Sequence, residues 1–228
     1  MRDLGTVVVT GGASGLGAAV VSAVGDAGGR PYVLDRTRPR SGVAHEVVDL
    51  SDTRSAEQAV DEAAGTNGGI GAVVTCAGTD VCGPLDRVST DDWERVVRVN
   101  LLGTAAVVRA ALPHLERSQG RIVTVASTLG LRGMGDATAY CASKFGVVGF
   151  TRALAAETAG RIGVTLLIPG GMQTAFFDGR PDRYRPPDDA DLSDPEDVAA
   201  AVIFALRQPA GCEIRELLIA PAMESSWP

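Results

Sequence analysis

The chain has 228 residues, 45% hydrophobic but only 4% aromatic, with a formal net charge of −7 and a pI near 4.9. That length suits one domain whose core is built mainly from Ala, Val, Leu and Ile. The acidic balance argues against nucleic acid or an anionic membrane surface as partner. Cys76, Cys82, Cys141 and Cys212 follow no metal-ligand spacing, so no metal is expected and the thiols read as free in a reducing cytoplasm.

In chain order, the apolar run of "MRDLGTVVVTGG" breaks at glycines too early for a signal sequence or a membrane span. Strands are expected at 6–10, 31–35, 46–50, 71–76, 121–127, 164–169 and 215–220, mostly solid apolar runs of the kind parallel strands show when both faces are covered. Helices are expected at 17–28, 53–65, 89–118, 137–160 and 194–208, with Ser51 or Thr53 starting the second and Asp194-Pro195-Glu196 the last. Strand–helix alternation throughout predicts a single α/β domain over 1–228, a doubly wound parallel sheet of about seven strands with helices on both faces. The least regular stretch, 170–193, is rich in Pro, Asp and Arg and is a candidate substrate loop.

The first strand–helix turn, "TGGASGLG", places Gly11, Gly15 and Gly17 between strand and helix. A dinucleotide needs such a turn, because backbone must approach the pyrophosphate and the helix N-terminus offers free N–H groups to its charge. The spacing, Gly-x-x-x-Gly-x-Gly, is longer than the common Gly-x-Gly-x-x-Gly. Asp35, closing the second strand, suits ribose hydroxyls and repels a 2′-phosphate, which favours NAD. Arg36, Arg38 and Arg40 follow at once, so NADP is not excluded. Asp49, at the end of the third strand, is a candidate for the adenine amino group and Leu50 for its ring.

One lysine, Lys144, stands among 20 arginines, four residues after Tyr140. That spacing puts both on one helical face, and lysine offers a compact point charge where arginine would bring a planar fork. With "TGGASGLG" (10–17), "CAGT" (76–79), "VNLLGT" (99–104), "VTVASTLG" (123–130), "YCASK" (140–144) and "PGGMQT" (169–174) in order, the chain resembles the short-chain dehydrogenase/reductase family. The resemblance implies a one-domain Rossmann fold and hydride transfer between a nicotinamide and a secondary alcohol or its ketone. It assigns Tyr140 as acid/base, its phenolate favoured by the Lys144 ammonium, Lys144 also to the nicotinamide ribose, Ser127 to the substrate oxygen and Asn100 to a proton-relaying water. Thr174 would bond the nicotinamide carboxamide. Gly11, Ser14, Gly15, Leu16, Gly17, Ala77, Gly78, Pro169 and Gly170 would complete the cofactor site beside Asp35, Arg36, Asp49 and Leu50. It also implies a homodimer or homotetramer, associating through the helices at 89–118 and 137–160.

One departure stands out. Where the family often has Asn-Asn-Ala-Gly, this chain has Thr75-Cys76-Ala77-Gly78, which bears on the steadiness of the sheet more than on activity. Leu129, Leu131, Met134, Met172, Phe176 and Phe177 are candidate walls of a mainly apolar substrate pocket. Arg132, Arg180, Arg183 and Arg185 either meet an acidic substrate group or are loop charges balanced by Asp182, Asp188, Asp189 and Asp191. Cys141 is a possible alkylation site, and Trp227 either packs on a neighbour or is loose. Two alternatives stand beside an NAD-dependent dehydrogenase: an NADP-dependent carbonyl or 3-oxoacyl-thioester reductase, and a non-catalytic dinucleotide sensor or scaffold.

Overall fold

Val7 and Val9 bury against one face of the sheet and Val8 against the other, and all three are fully excluded from solvent. A strand that is apolar at every position must be covered on both sides, and the fold does this for its central strands, while the edge strands at 45–47 and 216–219 keep exposed residues. The computed structural model describes residues 3–39 and 42–224; Arg40 and Trp227 lie outside them. Its strands are β1 (Thr6–Thr10), β2 (Arg30–Asp35), β3 (His45–Val47), β4 (Ala72–Thr75), β5 (Arg121–Val125), β6 (Gly163–Pro169) and β7 (Glu216–Ile219). They form one sheet in the order β3-β2-β1-β4-β5-β6-β7, parallel at every pairing.

Six α-helices flank it: α1 (Gly15–Asp26), α2 (Thr53–Asn67), α3 (Thr90–Val97), α4 (Thr104–Ser118), α5 (Thr138–Glu157) and α6 (Pro195–Leu206). One face of the sheet packs under α1 and α6, with Val20, Val24, Val198 and Val202 buried there. The other packs under α2 and α4, through Ala59, Val60, Val107 and Leu115. Asp52 starts α2, accepting from the N–H groups of Arg54 and Ser55, where the sequence pointed to Ser51 or Thr53. An aspartate outbids its neighbours because one carboxylate satisfies two of the four orphan amides of a helix start. Asp194 and Pro195 open α6 as expected.

The predicted helix over 89–118 is not continuous. A π-helical turn, Arg98–Gly103, separates α3 from α4. Asn100 sits in it, and its carbonyl accepts from the Thr104 hydroxyl at 2.9 Å; such widened turns commonly mark functional sites. By length and composition the run Thr90–Ser118 is apolar enough to cross a bilayer, yet half of its apolar window is buried inside the protein. Strand ends also differ, and two of these bear on the site. β3 stops at Val47, leaving Asp49 and Leu50 in the following turn, and β5 stops at Val125, leaving Ser127 two residues beyond it. These boundaries fall where the chain leaves the ladder to face the cleft, which hydrophobic runs do not mark.

Thr10, Thr75 and Thr124 lie side by side across β1, β4 and β5. The Thr10 hydroxyl accepts from the Ala77 N–H at 3.0 Å, and those of Thr124 and Thr151 share a hydrogen at 2.6 Å. The hydroxyl of Thr75, at the family's departure, is buried with no partner. An orphaned buried hydroxyl destabilises, so Thr75→Val, which keeps the shape, should raise stability by about 1 kcal/mol. A higher urea midpoint at unchanged slope is the expected reading; a lower one would mean that the hydroxyl has a partner in solution.

Candidate active site

In a doubly wound sheet, ligands sit at the carboxyl ends of the strands where the order reverses, here between β1 and β4. A cleft of about 1160 Å³ opens there. At its floor Gly11 has φ +69°, and a Cβ on Gly17 would stand 2.1 Å from the Gly11 carbonyl oxygen. Only glycine lets the turn close this tightly onto α1. Ser14 precedes that helix in extended conformation and no side chain caps the helix start, so its first amides remain for an anion. Gly11, Ser14, Gly15, Leu16 and Gly17 all line the cleft. The turn, the uncapped helix start and the volume suit a dinucleotide.

Asp35 ends β2 as expected, and its carboxylate is fixed by its surroundings. Oδ2 accepts from the Ala13 N–H at 3.0 Å. Oδ1 accepts from the N–H and hydroxyl of Thr37 at 3.0 and 3.1 Å. Asp35 and Arg36 both line the cleft. Asp49 and Leu50 line it too, although the Asp49 carboxylate also bridges Arg95 at 3.1 Å. Burial pushes the Asp49 pKa up, but hydrogen bonds from Ser51 and Arg95 overcome this and hold it below the usual range. Across the floor, Ala77 and Gly78 continue the wall from β4, and Pro169 and Gly170 from β6. Thr174 roofs the glycine turn: a Cβ on Gly15 would lie 3.3 Å from the Thr174 Cβ. The Thr174 hydroxyl accepts from the Phe176 N–H at 3.4 Å.

Ser127, Tyr140 and Lys144 meet at the middle of this cleft. Ser127 acts on the Tyr140 phenol, favouring its ionised form, and accepts from the Leu129 N–H at 3.2 Å. Lys144 Nζ lies 5.6 Å from the Tyr140 ring centroid and donates to the Val125 carbonyl at 2.9 Å. Burial lowers the Lys144 pKa to about 8, against a small opposing effect of Cys76. Burial raises Tyr140 above its usual range; Ser127 opposes this, the Asp80 charge adds to it and the Arg180 charge opposes it. In the protein alone, burial outweighs these neighbours and favours the neutral phenol.

Asn100 is buried and does not line the cleft. Its amide donates to the Thr79 carbonyl at 2.9 Å and the Ser143 hydroxyl at 3.0 Å, while its oxygen accepts from the Thr79 N–H at 2.8 Å.

On the substrate side, Leu129, Met134, Met172, Phe176 and Phe177 line the cleft. Leu131 does not; it packs beside Val147, Val148 and Ile168, because the short helical turn Thr128–Gly130 rotates it inward. Polar groups stand among these apolar walls. Asp80, Asp136, Arg180 and Tyr184 also line the cleft. Arg180 is bridged to Asp80 at 2.9 Å, not to the loop aspartates, and is largely buried. The sequence held a hint of Asp80, an acidic residue directly after the cleft-lining "CAGT", but nothing local pairs it with a residue 100 positions away. Cys141 is buried and so not presented for alkylation; burial pushes the cleft thiol of Cys76 up to about 12.

Comparison with known proteins agrees with this geometry. The short chain dehydrogenase family profile matches residues 5–184. An "uncharacterized oxidoreductase" of Staphylococcus aureus strain MW2 is 30% identical, over 94% of this chain and 96% of its own. The ligand-free aldohexose dehydrogenase of Thermoplasma acidophilum superposes with a TM-score of 0.86 at 25% identity, covering 96% of this chain and 93% of that one. An alcohol dehydrogenase of Thermococcus sibiricus, complexed with 5-hydroxy-NADP, shares the fold with a TM-score of 0.83 at 23% identity, covering 93% of this chain and 94% of that one. With its parallel sheet, glycine turn and Ser127–Tyr140–Lys144 cluster, the chain belongs to the short-chain dehydrogenase family of oxidoreductases.

Proposed function

We propose that the protein interconverts a secondary alcohol and its ketone with a nicotinamide dinucleotide as hydride carrier. One observation carries this: Ser127, Tyr140 and buried Lys144 gathered in one cleft, at the strand ends facing the glycine turn. When bound, the nicotinamide gives or takes the hydride. Gly11, the α1 amides and Thr174 would hold the dinucleotide, and Lys144 the ribose next to the reacting ring. Ser127 would direct its hydroxyl at the substrate oxygen and stabilise charge developing on it. Tyr140 would move the hydroxyl proton, its protonated resting form fitting donation to a carbonyl. Asn100 acts here through the backbone it ties, holding the Thr79 loop and α5 in place. The aldohexose and alcohol dehydrogenase neighbours support this class of reaction. A scaffold function would leave the Ser127, Tyr140 and Lys144 set without a role.

Asp35 favours NAD, since its fixed oxygens accept from ribose hydroxyls and repel a 2′-phosphate. An NADP-dependent carbonyl or 3-oxoacyl-thioester reductase is the second reading, favoured by Arg36 on the cleft wall. Exposed Leu102 and Phe145, on the two helical stretches by which family members associate, support a homodimer or homotetramer. The four unpaired thiols accord with a cytoplasmic setting.

Tyr140→Phe should lower kcat at least about a hundredfold, the usual worth of a positioned acid/base, with NADH affinity nearly unchanged by fluorescence titration. Wild-type turnover in that variant would sink the mechanism. In side-by-side titrations NADH should bind more tightly than NADPH. Asp35→Ala should weaken NADH by roughly tenfold or more, the worth of hydrogen bonds to a charged group, and narrow the gap. A wild-type preference for NADPH would favour the second reading. Lys144 titrates near 8 in the fold against an ordinary 10.5, so between those values the unfolded chain binds the extra proton. Stability relative to Lys144→Met should therefore rise with pH across that window, by roughly 2 kcal/mol between about pH 7.5 and 9.5. Urea melts of both proteins at the two pH values read this directly, and a flat difference would refute the burial effect.

A further inference from the structure

The arginines of segment 170–193 sort themselves differently in space than in sequence. Arg185 bridges Asp182 of its own loop at 3.5 Å. Arg180 instead reaches across the cleft to Asp80, Nη2 to Oδ2 at 2.9 Å, with the two side chains 17% and 6% exposed. Its guanidinium carbon lies 4.8 Å and 4.7 Å from the ring centroids of Phe176 and Phe177, so the rings flank it and its edge N–H groups are what a ligand meets. Asp80 is more fully used. Oδ1 accepts from the Val81 N–H at 2.7 Å, and Oδ2 also from the Cys82 thiol at 3.3 Å.

This pair borders the reacting group. Phe176 lies 5.6 Å from Tyr140 between ring centroids, and the charges of Asp80 and Arg180 both act on the Tyr140 hydroxyl. The same segment is tied down a second time, where the Tyr184 hydroxyl donates to Asp136 Oδ2 at 2.8 Å. Arg180 is thus held in place with donors to spare, against a carboxylate both of whose oxygens already accept.

Three kinds of substrate meet this pair differently. An uncharged oxygen can accept from the edge of Arg180 and leave the bridge whole. A carboxylate at the same edge stands beside the nearly buried Asp80 anion, or draws Arg180 off it, and either a second like charge or a stranded buried one is strongly unfavourable. An apolar group leaves the guanidinium edge without an acceptor.

We propose that Asp80 and Arg180 are the specificity pair of this site, Arg180 receiving an uncharged hydroxyl or carbonyl of the substrate and Asp80 excluding substrates that carry a carboxylate there. The assignment rests on Tyr140 facing the substrate, as proposed above. Removing the Asp80 charge then turns Arg180 into a carboxylate receptor.

The test is calorimetric titration of the full chain, saturated with NADH, with hexanamide and hexanoate as probes of matched length. Wild type should prefer hexanamide. Asp80→Asn, which keeps an acceptor for Val81, should tighten hexanoate at least tenfold and change hexanamide less than threefold. Arg180→Met added to that variant should abolish the gain, and Arg180→Met alone should weaken hexanamide. A shift in hexanoate affinity below threefold in Asp80→Asn overturns the pair, and so does a gain that survives loss of Arg180. Absence of heat from both probes on every variant overturns the assignment of this end of the cleft to substrate. The same titrations without NADH separate the two proposals. Failure of NADH to bind overturns the nicotinamide assignment, whereas a ratio indifferent to Asp80→Asn overturns the pair alone.

Discussion

Asn100 exchanges hydrogen bonds with both backbone groups of Thr79 and donates to Ser143, whose hydroxyl in turn donates to the Tyr140 carbonyl. Four parts of the fold meet in that one side chain: the π-helical turn between α3 and α4, the loop leaving β4, the start of α5, and through α5 the pair Tyr140 and Lys144. A buried amide must find partners for its donors and its acceptor. Here satisfying it fixes the distance from the β4 loop to the tyrosine helix. Asp80 rides on that loop one residue beyond Thr79, so the same hydrogen bonds set where the Asp80–Arg180 pair stands in the cleft.

The sheet explains why the site's polar groups gather at one edge. Its central strands are covered on both faces by helices, and the cleft opens where those strands end and loops take over. At that edge the glycine turn gives up side chains to let a ligand close to the backbone, while the opposite wall supplies Ser127, Tyr140 and Lys144. Burial then shapes the chemistry. Lys144 is pulled toward neutrality and Tyr140 is held protonated, both because a charge is poorly solvated beneath the closing segment. Arg180 and Asp80 cancel each other's charge within that cover, which lets two ionised groups stand so near the tyrosine.

Much of the architecture was legible in the chain. Mostly solid apolar runs marked the strands, β1 at its true bounds and the others with at least one end displaced by one to three residues, because a run of buried side chains says where the core is and not where the ladder stops. The Gly11–Gly17 turn, Asp35 and the Tyr140–Lys144 spacing came through because each is local: a few residues in one strand–helix unit fix the geometry. The interrupted helix at Arg98–Gly103 did not come through, since its widened turn answers to partners on Thr79 and Ser143 rather than to helical propensity. Leu131 was misplaced for a related reason; an apolar residue near a cleft turns inward or outward according to a short turn that composition does not encode.

By itself, then, the sequence determined the order of strands and helices, the dinucleotide-type turn and the chemical identity of the central tyrosine, serine and lysine, all of which rest on short-range spacing and side-chain chemistry. Only the tertiary structure decided what surrounds them. That Asp80 meets Arg180, that Tyr184 meets Asp136 and that Asn100 holds Thr79 depend on loops brought together by the winding of the sheet. Contacts between residues so far apart in the chain are selected by the packing of the whole molecule, and no local pattern announces them.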